Sequence, residues 1–226
     1  MNIKKKIFNQ PLKMIGDRAI MNDRIIEVPF VHSQIFKDSL MGKSLLDFGC
    51  AYSPLVLEAA SMGFKTLGVD IRNYPFKHPN LTLYKGNFLN YKDTIQFDYI
   101  VALSAIEHIG LQEYGGFLKD KNSDFSNIIN KLHQLLAPNG KFIATFPVGK
   151  EYMDERTRSF TPRQARDIFK FKDTRVISER FFAKNKDHQF IPTTYDTIKN
   201  ISNAAKDCPL RGSNGTGCYT WEKISE

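Results

Sequence analysis

The chemistry that this chain could perform is indicated first by two carboxylates, Asp47 and Asp70. Asp47 lies in the segment Leu-Leu-Asp-Phe-Gly, residues 45–49, and Asp70 ends the segment Thr-Leu-Gly-Val-Asp, residues 66–70. Both segments have the short apolar pattern of buried strands. In α/β sheets the carboxyl ends of parallel strands meet at one edge, where nucleoside cofactors bind. The two aspartates therefore predict a nucleoside site at that edge.

The other side chains expected at this edge suit the parts of a nucleoside. Gly49 has no Cβ, so the backbone there can approach a ligand closely. The Asp70 carboxylate can accept hydrogen bonds from both ribose hydroxyls. Asn87, in the segment Lys-Gly-Asn-Phe, can hydrogen-bond an adenine edge, with Phe88 or Ile71 flanking the ring.

A nicotinamide dinucleotide is the obvious rival cofactor, and the turn after residue 48 argues against it. Dinucleotide sites use Gly-x-Gly-x-x-Gly to admit a pyrophosphate at a helix N-terminus. Here the three positions are Gly49, Ala51 and Pro54. Proline has no N–H group, and it stands where close helix packing calls for glycine. A nucleoside cofactor without a pyrophosphate tolerates this change.

Alternating strand and helix patterns indicate the elements that would position these residues. Strands are predicted at residues 44–48, 65–70, 81–84, 97–103, 141–146, 174–182 and 217–224. Helices are predicted at residues 54–62, around residues 128–136, and after the capping signature of Thr161, Pro162 and Gln164. This alternation predicts an α/β fold with a mainly parallel sheet that is covered by helices on both faces.

The sequence also suggests how the chain is divided. Residues 1–30 are predicted to form an irregular N-terminal arm or cap, and residues 31–226 a single domain. Within that domain, residues 183–216 contain clusters of Asn, Asp, Pro and Gly and predict a long, partly helical excursion. A turn is expected at residues 138–140, Pro-Asn-Gly, before the strand at 141–146.

Composition narrows the class of protein. The net charge of +8 is spread along the chain, which argues against a nucleic-acid surface and favours attraction for anionic substrates. The chain has no apolar run long enough for a membrane span, and its basic start is not followed by an apolar stretch, so a cytoplasmic protein is expected. Cys50, Cys208 and Cys218 form no CxxC pair, so a structural zinc site is not expected.

Five motifs in order carry a family resemblance over about residues 40–150. They are Leu-Leu-Asp-Phe-Gly-Cys-Ala-Tyr-Ser, Gly-Val-Asp-Ile, Lys-Gly-Asn-Phe, Phe-Asp-Tyr-Ile-Val and Leu-Ala-Pro-Asn-Gly-Lys-Phe. The series resembles the class I S-adenosylmethionine-dependent methyltransferases, although Ala51 and Ser53 stand at the second and third glycine positions of the family's first motif.

The resemblance implies a fold and a cofactor. The implied fold is a Rossmann-like three-layer sandwich whose mainly parallel, seven-stranded sheet has its last strand antiparallel. The implied cofactor is S-adenosylmethionine. Its predicted contacts are Asp47, Gly49, Ala51, Asp70, Ile71, Asn87, Phe88 and Ser104.

The segment from Ser104 to Gly110 faces the methyl donor in the resembled fold. A hydroxyl nucleophile needs a base near neutral pH, and histidine suits that role. We therefore predict that His108 is the base and that Glu107 orients it or binds a substrate hydroxyl. Ser104 stands where the small-RNA 3′-end methyltransferases have a metal-binding glutamate, so no metal is predicted.

The acceptor is predicted from short stretches near this segment. Glu-His-Ile-Gly-Leu followed by Tyr-Gly is similar to a bacterial group of methyltransferases found with surface-polysaccharide genes. The acceptor is therefore expected to be a small molecule, a hydroxyl of a sugar or sugar nucleotide. Residues that could bind it, especially if it is anionic, are Tyr114, Tyr152, Arg156 and Arg158.

The sequence leaves other functions open. One alternative is N-methylation of an amino sugar or a phosphoramidate, and another is an RNA methyltransferase, which the +8 charge would support. A third is a regulatory subunit that keeps the cofactor fold without catalysis. A homo-oligomer also stays open.

Overall fold

The structure, a computed structural model, describes residues 23–36, 42–51, 53–111, 121–208 and 212–225, with residues 121–123 as backbone only. Its strands are β1 (Ser44–Phe48), β2 (Lys65–Asp70), β3 (Leu81–Lys85), β4 (Phe97–Leu103), β5 (Leu136–Pro147), β6 (Tyr152–Met153), β7 (Arg158–Ser159), β8 (Thr174–Lys184), β9 (Phe190–Thr193) and β10 (Gly215–Lys223).

The helices connect these strands. They are α1 (Arg24–Ile35), α2 (Leu55–Ser61), α3 (Lys121–Leu135), α4 (Pro162–Asp167) and α5 (Tyr195–Ile198). Single turns of 3₁₀-helix cover Phe88–Asn90 and Ile106–His108. None of the helices in the described ranges has the length and apolar character that a membrane span requires.

Eight strands form the central sheet, in the order β3-β2-β1-β4-β5-β10-β8-β9. The first five are parallel, while β10 is antiparallel to both β5 and β8. The predicted parallel sheet and its antiparallel last strand are therefore confirmed. The predicted number of seven strands is wrong, because β9 adds an antiparallel edge strand beside β8.

The two faces of the sheet bury separate apolar clusters, as the alternation of side chains along a strand requires. Leu45 of β1 packs with Val31 of α1 and Leu55 of α2 on one face. Leu46, the next residue, packs with Leu132 of α3 on the other face. Helices thus cover both faces, and the sheet is the middle layer of the predicted sandwich.

Two segments that were expected to be irregular contain regular structure. Residues 24–30 belong to α1, which crosses the predicted domain boundary between residues 30 and 31. Pro29 lies inside this helix and weakens the helical pattern, but Val31 and Ile35 are fully buried against the sheet and hold it there. Residues 183–216 contain helix α5, which agrees with the expectation of a partly helical segment. They also contribute one end each of β8 and β10 and the whole edge strand β9, which were not predicted.

The predicted turn at residues 138–140 lies inside β5 rather than before it. The pairing of β4 with β5 shifts register between Phe97 and Tyr99, and Asn139 has a φ of 61°. Between the pairs Phe97–Leu136 and Tyr99–Lys141, β4 advances by two residues and β5 by five, so a short turn of β5 leaves the pairing here. Asparagine tolerates the left-handed φ that this turn requires.

Candidate active site

A cavity of about 450 Å³ opens at the carboxyl ends of β1, β2 and β4. It is the place where the sequence predicted a nucleoside site. Its walls are formed by Phe48, Gly49, Val69, Asp70, Ile71, Arg72, Gly86, Asn87, Phe88, Leu89, Ser104, Ala105, His108, Ile109, Gly110, Leu111, Asp124 and Ile128. Most of the predicted cofactor contacts are therefore brought together.

Gly49 forms the turn that opens the cavity after β1. Its φ is 82°, a conformation that side chains with a Cβ rarely adopt, and its N–H donates to the Val69 carbonyl at 2.8 Å. A Cβ on residue 49 would lie 2.6 Å from the Cβ of Ala105. Both the backbone angle and the close approach to the 104–108 segment require glycine here.

The Asp70 carboxylate lies at the end of β2 and accepts several hydrogen bonds. The backbone N–H of Ala51 donates to Oδ2 at 2.9 Å, and the Arg72 backbone N–H and Nε donate to Oδ1 at 2.8 and 2.9 Å. Arg72 Nη2 donates to Oδ2 at 3.1 Å. Burial acts to raise the pKa of Asp70, but these hydrogen bonds outweigh it and hold the pKa below its ordinary value. Ala51, a predicted cofactor contact, does not line the cavity; it supports Asp70 through this N–H.

Asp47 is fully buried in β1 and, within the part of the chain that the structure describes, neither carboxylate oxygen has a hydrogen-bond partner. The pKa of Asp47 is raised to about 7, mainly by burial and further by the charge of Asp70, while the charge of Arg24 acts to lower it. Asp47 does not line the cavity. The structure therefore places this predicted cofactor contact beneath the cavity wall.

The predicted adenine end of the cavity is the single turn that follows β3. Asn87 caps this turn, because its Oδ1 accepts from the Leu89 N–H at 2.9 Å. Lys131 of α3 fixes the turn from the other side by donating to the carbonyl oxygens of Phe88 at 2.8 Å, Leu89 at 3.1 Å and Tyr91. The sequence did not indicate Lys131, because its partners lie about forty residues away.

Ser104 begins the segment at the other end of the cavity. Its φ is 45°, a left-handed value for a residue with a side chain, and strain of this kind clusters at functional sites. Its Oγ donates to Glu27 of α1, whose carboxylate also accepts from Thr145 Oγ1 at 2.8 Å and pairs with Arg24 at 2.5 Å. Sequence reasoning missed Glu27, since it lies in the segment expected to be an irregular arm.

His108 lines the same cavity as Ser104 and Ala105, three residues after Ala105. Its Nδ1 lies 2.5 Å from the carbonyl oxygen of Arg156. A carbonyl oxygen can only accept, so Nδ1 is assigned the proton and the neutral ring carries its lone pair on Nε2. That nitrogen is 3.8 Å from Glu107 Oε1, beyond hydrogen-bond distance.

Glu107 points into the protein rather than into the cavity. Its side chain is buried, and its Oε2 has no hydrogen-bond partner among the described residues. Burial raises its pKa well above the ordinary value, and neighbouring Glu27 raises it further, while a backbone hydrogen bond and Arg24 lower it. The predicted role of Glu107 in binding a substrate hydroxyl gains no support from this placement.

None of the predicted acceptor residues in the described ranges lines the cavity, and two of them line a second depression. That depression, of about 720 Å³, is lined by Tyr152 and Arg158 among others. Arg158 is buried and donates from Nη2 to the carbonyl of Ile109, at 2.6 Å, in the wall of the first cavity. Arg156 is exposed and meets His108 through its carbonyl oxygen, and Tyr114 lies outside the described residues.

Tyr152 does not present a free hydroxyl to the depression, because it donates to Asp154 Oδ2 at 2.9 Å. Within the described ranges, no cluster of three His, Cys, Asp or Glu side chains is placed to hold a metal ion.

Comparison with known families decides the identity of this site. The methyltransferase-domain family matches residues 29–181, which contain β1 to β7 and the whole cavity wall. The chain belongs to the methyltransferase family. No curated protein matches this methyltransferase.

Solved structures share the fold of this methyltransferase at low identity. An S-adenosylmethionine-dependent methyltransferase of Clostridium acetobutylicum is 12% identical with a TM-score of 0.55, covering 87% of this chain and 90% of its own. The N-methyltransferase NodS of Bradyrhizobium japonicum, in complex with S-adenosylhomocysteine, is 13% identical with a TM-score of 0.53, covering 93% and 94%.

A third structure extends the range of acceptors among proteins of this fold. The 1,6-didemethyltoxoflavin-N1-methyltransferase of Burkholderia thailandensis is 12% identical with a TM-score of 0.51, covering 87% of this chain and 76% of its own. It contains 1,6-didemethyltoxoflavin and S-adenosylhomocysteine. At these identities the likeness concerns the fold, and the acceptor of this methyltransferase has to be argued from its own residues.

Proposed function

We propose that this methyltransferase moves the methyl group of S-adenosylmethionine to a hydroxyl of a small sugar or sugar nucleotide, with His108 as the base. When bound, the cofactor supplies a methyl carbon on a sulfonium that a nucleophile can attack. The residues of the chain have to bind it, orient the acceptor and remove the acceptor's proton.

The cavity residues fit this cofactor. The ionised Asp70 carboxylate suits ribose hydroxyls, and Gly49, which has no side chain, presents only its backbone to the cavity. Asn87 and Phe88, which follow β3, and Ile71 line the same cavity and are the proposed contacts of the adenine. Three residues complete the predicted set: Ser104 at the cavity wall, Asp47 beneath it, and Ala51, whose N–H donates to Asp70.

The single observation that carries the catalytic proposal is the hydrogen bond from His108 Nδ1 to the Arg156 carbonyl. This bond fixes the ring and leaves Nε2 as the atom that can take a proton. Because His108 also lines the cavity, a hydroxyl acceptor held there would meet a base. Glu107 acts at most through the position of His108, since it does not line the cavity.

The anionic character of the proposed acceptor is supported by Arg158. Its guanidinium is buried between the second depression and the cavity wall, and burial lowers its pKa while Glu107 raises it. A buried cation favours an anionic partner such as a phosphate. Tyr152, Arg156 and Tyr114 stay candidate acceptor contacts. The sugar itself, a role in polysaccharide synthesis and a cytoplasmic location rest on the sequence.

N-methylation is the second candidate, and one observation favours it. Asp124 at the first turns of α3 is a buried carboxylate in the wall of the same cavity as His108. A carboxylate there would attract an ammonium group, and His108 could accept its proton. An amino sugar that also carries a phosphate would present an ammonium group to Asp124 and an anion to Arg158.

A transfer assay with methyl-labelled S-adenosylmethionine tests the proposal. The purified protein would be offered sugar nucleotides, their amino-sugar counterparts and RNA in parallel. Label in the sugar nucleotides supports the hydroxyl acceptor, and label in the amino sugars alone would select the second candidate. Label that enters only RNA would contradict both.

A further inference from the structure

The Asp70 carboxylate is fully engaged before any ligand is considered. Oδ1 accepts from the Arg72 backbone N–H and from Arg72 Nε, while Oδ2 accepts from the Ala51 N–H and from Arg72 Nη2. A carboxylate offers about four lone-pair positions. Each oxygen therefore carries one backbone donor and one donor of the Arg72 guanidinium, and no position is left for a ribose hydroxyl.

The two kinds of donor differ in what they can do when a ligand enters. The backbone N–H groups belong to the turn after β1 and to the end of β2, so they stay in place. The Arg72 side chain is 36% exposed, while that of Asp70 is 4% exposed, and both line the cavity. The guanidinium can therefore move toward solvent. Its movement would leave one hydrogen-bond position open on each carboxylate oxygen of Asp70.

We infer that Arg72 competes with the cofactor for Asp70, so that binding exchanges the two guanidinium donors for the two hydroxyls of a ribose diol. The numbers of donors match, one for each carboxylate oxygen. Arg72 thereby determines cofactor affinity and favours release of the product nucleoside. The inference rests on the proposed role of Asp70 in holding the ribose.

Calorimetric titration of Arg72→Met with S-adenosylhomocysteine tests the exchange without an acceptor. Removing the competing donors should tighten the dissociation constant roughly 3- to 10-fold, since the backbone N–H groups still keep Asp70 ionised at pH 8. Adenosine should show the same gain. For 2′,3′-dideoxyadenosine, which has no diol to displace the guanidinium, the substitution should change the affinity less than twofold.

Lys85→Met is the matched control for charge. Lys85 pairs with Asp70 in the register of β2 and β3, but it is exposed and makes no hydrogen bond to that carboxylate. This variant should leave the affinity for S-adenosylhomocysteine unchanged. An equal gain from Lys85→Met, or the same gain for dideoxyadenosine as for adenosine, would overturn the exchange.

Asp70→Asn separates the inference from the proposal on which it rests. If Asp70→Asn weakens diol ligands while Arg72→Met leaves them unchanged or weaker, Asp70 holds the ribose and Arg72 does not compete. If Asp70→Asn weakens the binding of adenosine and dideoxyadenosine equally, Asp70 does not hold the ribose diol. That result would contradict both the proposed role of Asp70 and the exchange with Arg72.

Discussion

The two ends of the cavity are built in different ways. The cofactor end uses the ends of consecutive strands: Asp70 is the last residue of β2, and Gly49 and Asn87 come just after β1 and β3. The opposite end is assembled from distant segments: Ser104 bonds Glu27 of α1, and His108 bonds the Arg156 carbonyl. The residues at the strand ends, including Ser104 and His108, can be predicted from the sequence, whereas the long-range partners that hold these two in place cannot.

This difference predicts that the two ends can be damaged separately, and the largest effect is expected at His108. His108→Ala should lower kcat about 10²- to 10⁴-fold with the acceptor found in the transfer assay, because it removes the base. Its affinity for S-adenosylhomocysteine should stay within twofold of wild type. Near-normal turnover would show that His108 is not the base. A parallel loss of affinity for S-adenosylhomocysteine would show that the two ends of the cavity do not act separately.

At the cofactor end, the largest effect is expected from Gly49→Ala. A methyl group there meets a left-handed φ and the Ala105 Cβ at 2.6 Å, so the free energy of unfolding should fall by about 2–4 kcal/mol. Gly42→Ala is the control, because Gly42 has a similar φ of 77° and nothing within 4 Å of an added Cβ. It should cost only about 1 kcal/mol in chemical denaturation. Equal losses would show that the contact with the 104–108 segment is unimportant.

The contributions of Asp47 and Asp70 to the stability of the fold should depend on pH in opposite directions. The pKa of Asp47 is raised to about 7 in the folded protein, mainly by burial. Its contribution to the free energy of unfolding therefore falls as the pH rises from about 4 to 7, because the buried carboxyl group ionises over that range. The pKa of Asp70 is lower in the folded protein than in the unfolded chain. Asp70 therefore stabilises the fold at pH values above its pKa in the unfolded chain, and this stabilisation is lost as the pH falls through its pKa in the folded protein.

Asp47→Asn isolates the first of these effects. Relative to wild type, this variant should gain about 1–3 kcal/mol in unfolding free energy between pH 4 and pH 8, as measured by urea denaturation at each pH. A difference between the two proteins that does not change with pH would mean that Asp47 is already charged throughout.

The smallest effect is expected from Lys131, which positions the adenine turn from outside the cavity. Lys131→Met removes the donors to the carbonyls of Phe88 and Leu89 and should weaken S-adenosylhomocysteine binding roughly 3- to 10-fold, with kcat nearly unchanged. Lys131→Arg keeps a cationic donor and should restore most of the affinity. Failure of arginine to rescue, together with a lower kcat, would indicate a general packing defect instead.

The same contrast explains what could be predicted from the sequence. The strands that carry Gly49, Asp70 and Asn87 were predicted because apolar runs and turn residues are local signals. Glu27 was missed because Pro29 interrupts the pattern of its helix. Strand β9 was missed because it has only four residues and one of them is Pro192, which argues against a strand except at a sheet edge. Arg72 was also missed, since its hydrogen bonds to Asp70 follow from side-chain geometry.

The most direct test of the account is calorimetric titration of the wild-type protein and Asp70→Asn with S-adenosylhomocysteine. Asp98→Asn is the matched control, because Asp98 lies at the opposite end of the sheet. Burial acts to raise the pKa of Asp98, but hydrogen bonds from Lys43 and Ser44 hold that pKa below its ordinary value, as the hydrogen bonds to Asp70 do for Asp70. We predict one bound molecule per wild-type chain, the same affinity for Asp98→Asn, and a roughly 10- to 100-fold loss for Asp70→Asn. Absence of binding to the wild type, or undiminished binding to Asp70→Asn, would contradict the account.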